Sequence, residues 1–286
     1  MSNKKSVLIT GASSGIGKAC AIYLAEQGFK VYAGIRKETD REMLLKEDHG
    51  LLTPIILDVV KAETIIDAVN TISEDTEYSL WGLVNNAGIG ISGVLEAIPA
   101  EELRRLLEVN VIGLHAVTRA FLPLLRKSHG RIVNIGSISS YIGSPGSSSY
   151  SASKFAVRGF TDALRLELQP FGMHVSLIAP GAIQSAIWEK SKAYKKKLRK
   201  NTSPEVLKTN HLFVQYSENI INQVKPIPAL FVAKAVAHAL TKPKPKYVYV
   251  IGKDAKLIMR MLKLPKRLFN WLILKHITLE AKRSHP

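Results

Sequence analysis

Residues 5–17, Lys-Ser-Val-Leu-Ile-Thr-Gly-Ala-Ser-Ser-Gly-Ile-Gly, pass from a short apolar run (5–10) into a turn carrying Gly11, Gly15 and Gly17, and an apolar-periodic segment follows over 18–27. A buried strand, a glycine turn and a helix N-terminus in that order make a phosphate cradle. The glycines let the backbone approach an anion, and the free N–H groups and helix dipole favour negative charge. The spacing here is G-x-x-x-G-x-G instead of G-x-G-x-x-G, so the rest of the chain has to supply the context.

Further apolar runs at 29–35, 53–58, 81–84, 131–135, 173–178 and 246–251 read as strands, alternating with helical patterns at 62–73, 100–125, 150–168 and 226–240. This alternation predicts an α/β fold built on one doubly wound parallel sheet. Such sheets bind ligands at the carboxyl ends of their strands. Arg36 and Lys37 follow the second strand, where a basic residue suits a ribose 2′-phosphate and an acidic one a free 2′-hydroxyl. NADP(H) is therefore the preferred cofactor, with NAD(H) left open by the neighbouring Glu38 and Asp40. Asp58 ends the third strand, and Asn85-Asn86-Ala87-Gly88 follows the fourth with small residues against which a flat ring or ribose can lie. Asn110 sits inside a helical pattern, where asparagine is neutral to unfavourable; either it is exposed or its amide holds a water. Ala179-Pro180-Gly181 closes the sixth strand.

Tyr150 and Lys154 stand four apart where a Gly/Ser/Pro-rich loop gives way to a helix, so they share one face. An ammonium near a phenol favours the phenolate and lowers the tyrosine from about 10 toward working pH, making it a usable general acid or base. Ser137, at the end of the fifth apolar run, can offer a hydroxyl to the same reacting oxygen. Taken alone, Tyr-x-x-x-Lys is common by chance in an ordinary serine-rich loop before a surface helix.

With 286 residues, 46% of them hydrophobic, the chain can bury a substantial core, which argues against disordered or fibrous classes. Met-Ser-Asn-Lys-Lys leads straight into the first run and leaves no room for a leader, so a cytoplasmic catalytic domain is expected. The single cysteine, Cys20, cannot form an intrachain disulfide and reads as a buried thiol. No metal is expected. The net charge of +17 lies entirely in the last third: Met1 to Ser185 balances 18 basic against 18 acidic residues, whereas Ala186 to Pro286 has 22 against 5. An anionic partner is expected for that part alone.

The dispersed motifs coincide with those of the short-chain dehydrogenase/reductase family. TGASSGIG at 10–17, Asp58, NNAG at 85–88, Asn110, Ser137, Tyr150-Ser-Ala-Ser-Lys154 and Pro180-Gly181 stand in that family's order and spacing over about the first 185 residues. The resemblance implies a Rossmann-type fold and a catalytic tetrad of Asn110, Ser137, Tyr150 and Lys154. Tyr150 would exchange the proton with the substrate oxygen and Ser137 would position that oxygen. Lys154 would bind the nicotinamide ribose and hold the phenol down, and Asn110 would order a water leading from Lys154 to solvent. Gly11, Ser13, Ile16 and Gly17 would meet the pyrophosphate and ribose, Asp58 and Val59 the adenine, and Asn86, Ala87 and Gly88 the adenosine side. Ile183, beyond Pro180 and Gly181, would meet the carboxamide through its backbone. Ser185 stands where the family often has threonine, a freer hydroxyl for the same contact.

Past Ser185 the reading rests on composition, with residues 1–185 as catalytic core, 186–254 as a substrate-covering lobe and 255–286 as a basic amphipathic tail. Trp188, Tyr194, Leu198, Leu212, Phe213, Val214 and Tyr216 lie amid Lys190, Lys192, Lys195, Lys196, Lys197, Arg199 and Lys200, a run that also suits a solvated helix face. In the tail, large apolar residues including Trp271 interleave with Lys256, Arg260, Lys263, Lys266, Arg267 and Lys275 without the roughly 20 apolar residues a bilayer span needs. That pattern suits a helix pair broken near Pro265 and lying on an anionic membrane surface; packing on the protein's own core is the alternative, and nucleic acid fits less well. The added lobe resembles the retinol and hydroxysteroid dehydrogenase branches, implying a lipophilic alcohol or ketone as substrate and a homodimer or homotetramer through the helices at 100–125 and 150–168. The competing functions are a 3-oxoacyl reductase acting on carrier-bound acyl chains and a non-catalytic NADP(H)-sensing scaffold.

Overall fold

The computed structural model describes residues 4–47, 50–185, 187–223 and 225–282. In chain order the first half comprises β1 (Lys4–Ile9), α1 (Gly15–Glu26), β2 (Lys30–Ile35), α2 (Thr39–Leu45), β3 (Leu52–Ile56), α3 (Ala62–Ser73), β4 (Tyr78–Asn85), α4 (Ala100–Leu107), α5 (Gly113–Lys127) and β5 (Arg131–Ile135). There follow α6 (Ser148–Leu168), β6 (His174–Pro180), α7 (Ile187–Asn201), α8 (Pro204–Thr209), α9 (His211–Gln223), α10 (Leu230–Thr241), β7 (Val248–Ile251), α11 (Lys253–Met261) and α12 (Lys266–Lys282).

Seven parallel strands form one sheet in the order β3-β2-β1-β4-β5-β6-β7. Strand side chains alternate between its faces. Val7, Ile9, Val31, Ala33 and Ile35 pack with α1 and α10 on one side, whereas Leu8 and Tyr32 join Ile65, Phe121 and Leu164 of α3, α5 and α6 on the other. Both faces are covered, which is why the strands read as near-continuous apolar runs. The expected doubly wound, Rossmann-type α/β fold is the observed one. On the first face α10 packs closely, since a Cβ on Gly82 would lie 2.8 Å from Leu240 Cδ2. Cys20 is fully buried there, and burial pushes its thiol up to about 12.

Several boundaries differ from the sequence reading. The third strand stops at Ile56 instead of Asp58, because the Asp58 N–H turns to donate to Thr64 Oγ1 at 3.0 Å. The expected 100–125 helix is interrupted by a π-helical turn, Glu108–Ile112, between α4 and α5. The short α2 was not anticipated, and the helix expected from 226 begins at Leu230, after Pro226 and Pro228. The tail is a helix pair separated around Pro265, as expected. One face of α12 covers α9: Phe269, Ile277 and Ala281 are buried, and Asn219 Nδ2 donates to the Glu280 carbonyl at 2.8 Å. Burying Phe269 and Ile277 contributes roughly 1.5–3 kcal/mol each. The side chains of Trp188, Lys190 and Lys192 and residues 283–286 lie outside the described residues.

Candidate active site

The sequence-selected residues converge on the carboxyl edge of the sheet. Gly11 and Gly15 have φ of +65° and +56°, the left-handed region in which glycine is the residue without strain. A Cβ on Gly17 would fall 2.3 Å from Gly11 O and 2.5 Å from Asn86 Nδ2, so only glycine lets α1 rise this close to the loop. The loop is tied to β4: Thr10 Oγ1 accepts from the Asn86 and Ala87 N–H groups at 3.0 and 2.9 Å, and Asn86 Nδ2 donates to the Thr10 and Gly11 carbonyls. Ser14 provides no side-chain cap and the first turn of α1 carries no acidic residue. The leading N–H groups and the positive end of the helix dipole are thus offered beside the partly exposed Ser13 and Ile16. These residues fit a dinucleotide pyrophosphate.

The other cofactor candidates surround that cradle. Arg36 and Lys37 leave the end of β2 exposed to solvent, while the nearby Glu38 is engaged by Arg41. Val59 is buried after β3, and Asp58 Oδ1 accepts from the Val60 N–H at 3.2 Å. Beyond β6, the Gly181 N–H donates to Ile251 O at 2.8 Å and Ile183 forms a bridge with Ile227. Ser185 is half-buried at the far end of this loop. Asp254 in the first turn of α11, which sequence reasoning missed, accepts from the Ala182 N–H at 2.8 Å and fills the space where a Cβ on Gly181 would sit. Its partner is distant in sequence, so no local signal marked it.

At the centre, Ser137 lies two residues beyond β5 and is buried; its Oγ accepts from the Ser139 N–H at 3.1 Å. Lys154 lies one turn beyond Tyr150, buried, with Nζ donating to Ile135 O at 2.9 Å and 5.8 Å from the phenol ring centre. Burial pushes the Tyr150 phenol up, and the Ser137 hydrogen bond offsets this in part. Burial also lowers the Lys154 ammonium to about 8. The expected depression of the phenol is therefore not what the protein groups produce. With Lys154 turned to a neutral carbonyl, desolvation dominates both groups.

Asn110 is buried in the π turn, where the extra residue aims its amide across to α6 and the Ile89 backbone. Nδ2 donates to Ile89 O at 3.0 Å and Ser153 Oγ at 3.1 Å, and Oδ1 accepts from the Ile89 N–H at 2.9 Å. The amide hydrogens are thus committed to protein, and Asn110 acts as a clamp between the NNAG loop and the Tyr150 helix. Sequence reasoning also missed a buried polar ladder below the site. Asn85 Nδ2 donates to Thr118 Oγ1 and Asn134 Oδ1 at 2.8 and 2.9 Å, and Asn134 Nδ2 donates to Thr161 Oγ1 at 2.9 Å. These bonds cross β4, β5, α5 and α6 and fix the register of the elements that bear Ser137, Tyr150 and Lys154.

Residues 5–196 match the family profile described as "short chain dehydrogenase". Over 260 residues the chain is 39% identical to 17-beta-hydroxysteroid dehydrogenase type 6 of Bos taurus, an alignment covering 88% of this chain and 82% of that protein. Retinol dehydrogenase 7 of Mus musculus is 36% identical over 266 residues, with the same two coverages. Among solved structures, a short chain dehydrogenase from Burkholderia cenocepacia in complex with NADP superposes with a TM-score of 0.73 at 27% identity, covering 96% of this chain and 99% of that one.

Proposed function

From the membership of this chain in the short-chain dehydrogenase/reductase family of NAD(P)-dependent oxidoreductases, we propose that it interconverts a lipophilic, steroid- or retinoid-like alcohol and its ketone or aldehyde with NADP(H), Tyr150 carrying the proton. The observation that supports this reading is the buried Lys154 one helical turn from Tyr150, its ammonium 5.8 Å from the phenol ring centre, with the Ser137 hydroxyl lowering the phenol. The nicotinamide, when bound, supplies or accepts the hydride. In reduction, Tyr150 donates its O–H proton to the carbonyl oxygen while Ser137 holds that oxygen by a hydrogen bond. As the phenol loses its proton, the new negative charge favours the Lys154 ammonium, so the two groups change charge as a pair. In the alcohol direction Tyr150 takes the proton back. Asn110 keeps the helix and the NNAG loop in register during both. The exposed Arg36 and Lys37 supply positive charge for a 2′-phosphate, and the basic 2′-phosphate edge supports NADP(H) over NAD(H).

Tyr150→Phe tests the assignment. The variant should bind NADPH with unchanged affinity in a fluorescence titration and lose about 10³-fold or more in turnover of lipophilic ketones. Turnover within ten-fold of the parent would remove Tyr150 from the role.

The tail supports a peripheral membrane association. The face of α12 away from α9 leaves Leu268, Trp271 and Leu274 exposed at helical spacing, with Arg267 and Lys275 on the same face and Leu264 exposed just before the helix. Apolar side chains interleaved with cations on one exposed helix face suit the interface of an anionic bilayer. Among the described residues no helix is long and apolar enough to cross a membrane. Exposed Ile112 beside α5 and Phe155 and Leu166 on α6 supply apolar surface for a homodimer through the two long helices.

A further inference from the structure

A second concavity lies outside the tetrad. It has a volume of about 370 Å³, within the usual range of roughly 300–1,000 Å³ for small-molecule sites. Its floor is the loop after β4 at Gly93 and Val94 together with Gly146 of the loop preceding α6, joined by a hydrogen bond from the Gly93 N–H to Gly146 O at 2.8 Å. Its walls are α7, α8 and α9, which contribute the half-buried apolar side chains Leu198, Leu207, Phe213 and Val214. None of Asn110, Ser137, Tyr150 or Lys154 lines it.

The polar groups of this cavity are unequal in charge. Lys195, Lys196 and Arg199 reach it, against the single carboxylate Glu218. Glu218 is already held by Arg199, with Nη1 to Oε1 at 2.6 Å. Lys195 is half-buried, and among the described residues its ammonium makes one long hydrogen bond, to Ser217 O at 3.4 Å. An ammonium has three donors, and a half-buried one with a single weak acceptor is under-satisfied. Desolvation accordingly pulls Lys195 down to about 8 despite the attraction of Glu218. The side chain is short of an anion and faces an apolar cavity.

We propose that this cavity binds an amphipathic carboxylate, its apolar chain against Leu198, Leu207, Phe213 and Val214 and its carboxylate on Lys195. The cavity's floor is the loop that follows the NNAG turn and the loop that leads into the Tyr150 helix, and its walls belong to the lobe after residue 185. A ligand here is placed to stiffen both loops.

The test is equilibrium binding of dodecanoate and of dodecanol, the uncharged counterpart of the same chain length, measured calorimetrically with and without saturating NADPH. The intact protein should bind dodecanoate at least ten-fold more tightly than dodecanol, in either condition. Lys195→Met should erase that preference while leaving dodecanol affinity and NADPH affinity unchanged. Phe213→Ala should weaken both ligands, and Lys197→Met, whose side chain is exposed outside the cavity, should change neither. The proposal is overturned by equal affinity for the two ligands, by a preference that survives Lys195→Met, or by loss of dodecanoate when NADPH is bound. Binding is read without turnover, so failure of this site is separable from failure of the redox assignment.

Discussion

Lys154, assigned above to the proposed tetrad, carries a cost to the fold. Its ordinary value of 10.5 falls to about 8 on burial. Between those values the unfolded chain binds a proton that the folded chain does not, so stability rises with pH through that window. The cost is fully present below pH 8 and on the order of 3 kcal/mol. Lys154→Met should therefore raise the thermal midpoint by several degrees at pH 7 in the protein alone, and the gap should close by about pH 10. A constant difference across that range in calorimetric scans would contradict this origin. At this scale the identities Ser137, Tyr150 and Lys154 were legible, because two of them lie on a single helix turn and the third at a strand end 13 residues earlier. Their ionisation was not, because it depends on burial by elements distant in sequence. Asn110 illustrates the same division: its odd position in a helix was visible, but its engagement by Ile89 and Ser153 was not.

At the scale of elements, the parallel sheet with helices on both faces followed from apolar runs alternating with periodic segments, whereas the strand order came only from the structure. The breaks did not, because a π turn or a strand end is set by tertiary partners such as Thr64 for Asp58. The loop after β6 shows the consequence for function. Its backbone is held on one side by β7, through Gly181 to Ile251, and on the other by the carboxylate of Asp254 on Ala182. Asp254 also lies in the first turn of α11, where negative charge complements the helix dipole. Asp254→Ala should cost only about 1 kcal/mol of stability, since this bond is exposed. The loop it releases carries Ile183, so the KM for NADPH should rise about ten-fold, equivalent to roughly 1.4 kcal/mol, with a smaller change in kcat. Asp254→Asn retains an acceptor and should recover most of the loss. Equal kinetics for the parent and Ala variants would confine Asp254 to capping α11.

For the whole molecule, the uneven charge is the property that bears on the proposed membrane association. A balanced body up to Ser185 is joined to 101 residues holding the entire excess of +17. The tail reconciles the two readings its composition allowed, because Phe269 and Ile277 pack inward on the protein while Leu268 and Trp271 on the same helix face outward. Composition could not separate these faces; the placement of α9 beneath α12 does. The bordering cations each contribute about 1 kcal/mol near anionic lipid, and that contribution decays within a Debye length of about 8 Å at physiological salt. The intact protein should therefore float with phosphatidylserine-containing vesicles at low ionic strength, bind neutral phosphatidylcholine vesicles far less, and be released as salt increases. Leu268→Glu combined with Trp271→Glu should abolish flotation without altering ketone turnover in detergent, since both side chains are exposed on the outer face of α12. A protein that stays unbound to anionic vesicles at low salt leaves the outer face of α12 without a membrane role.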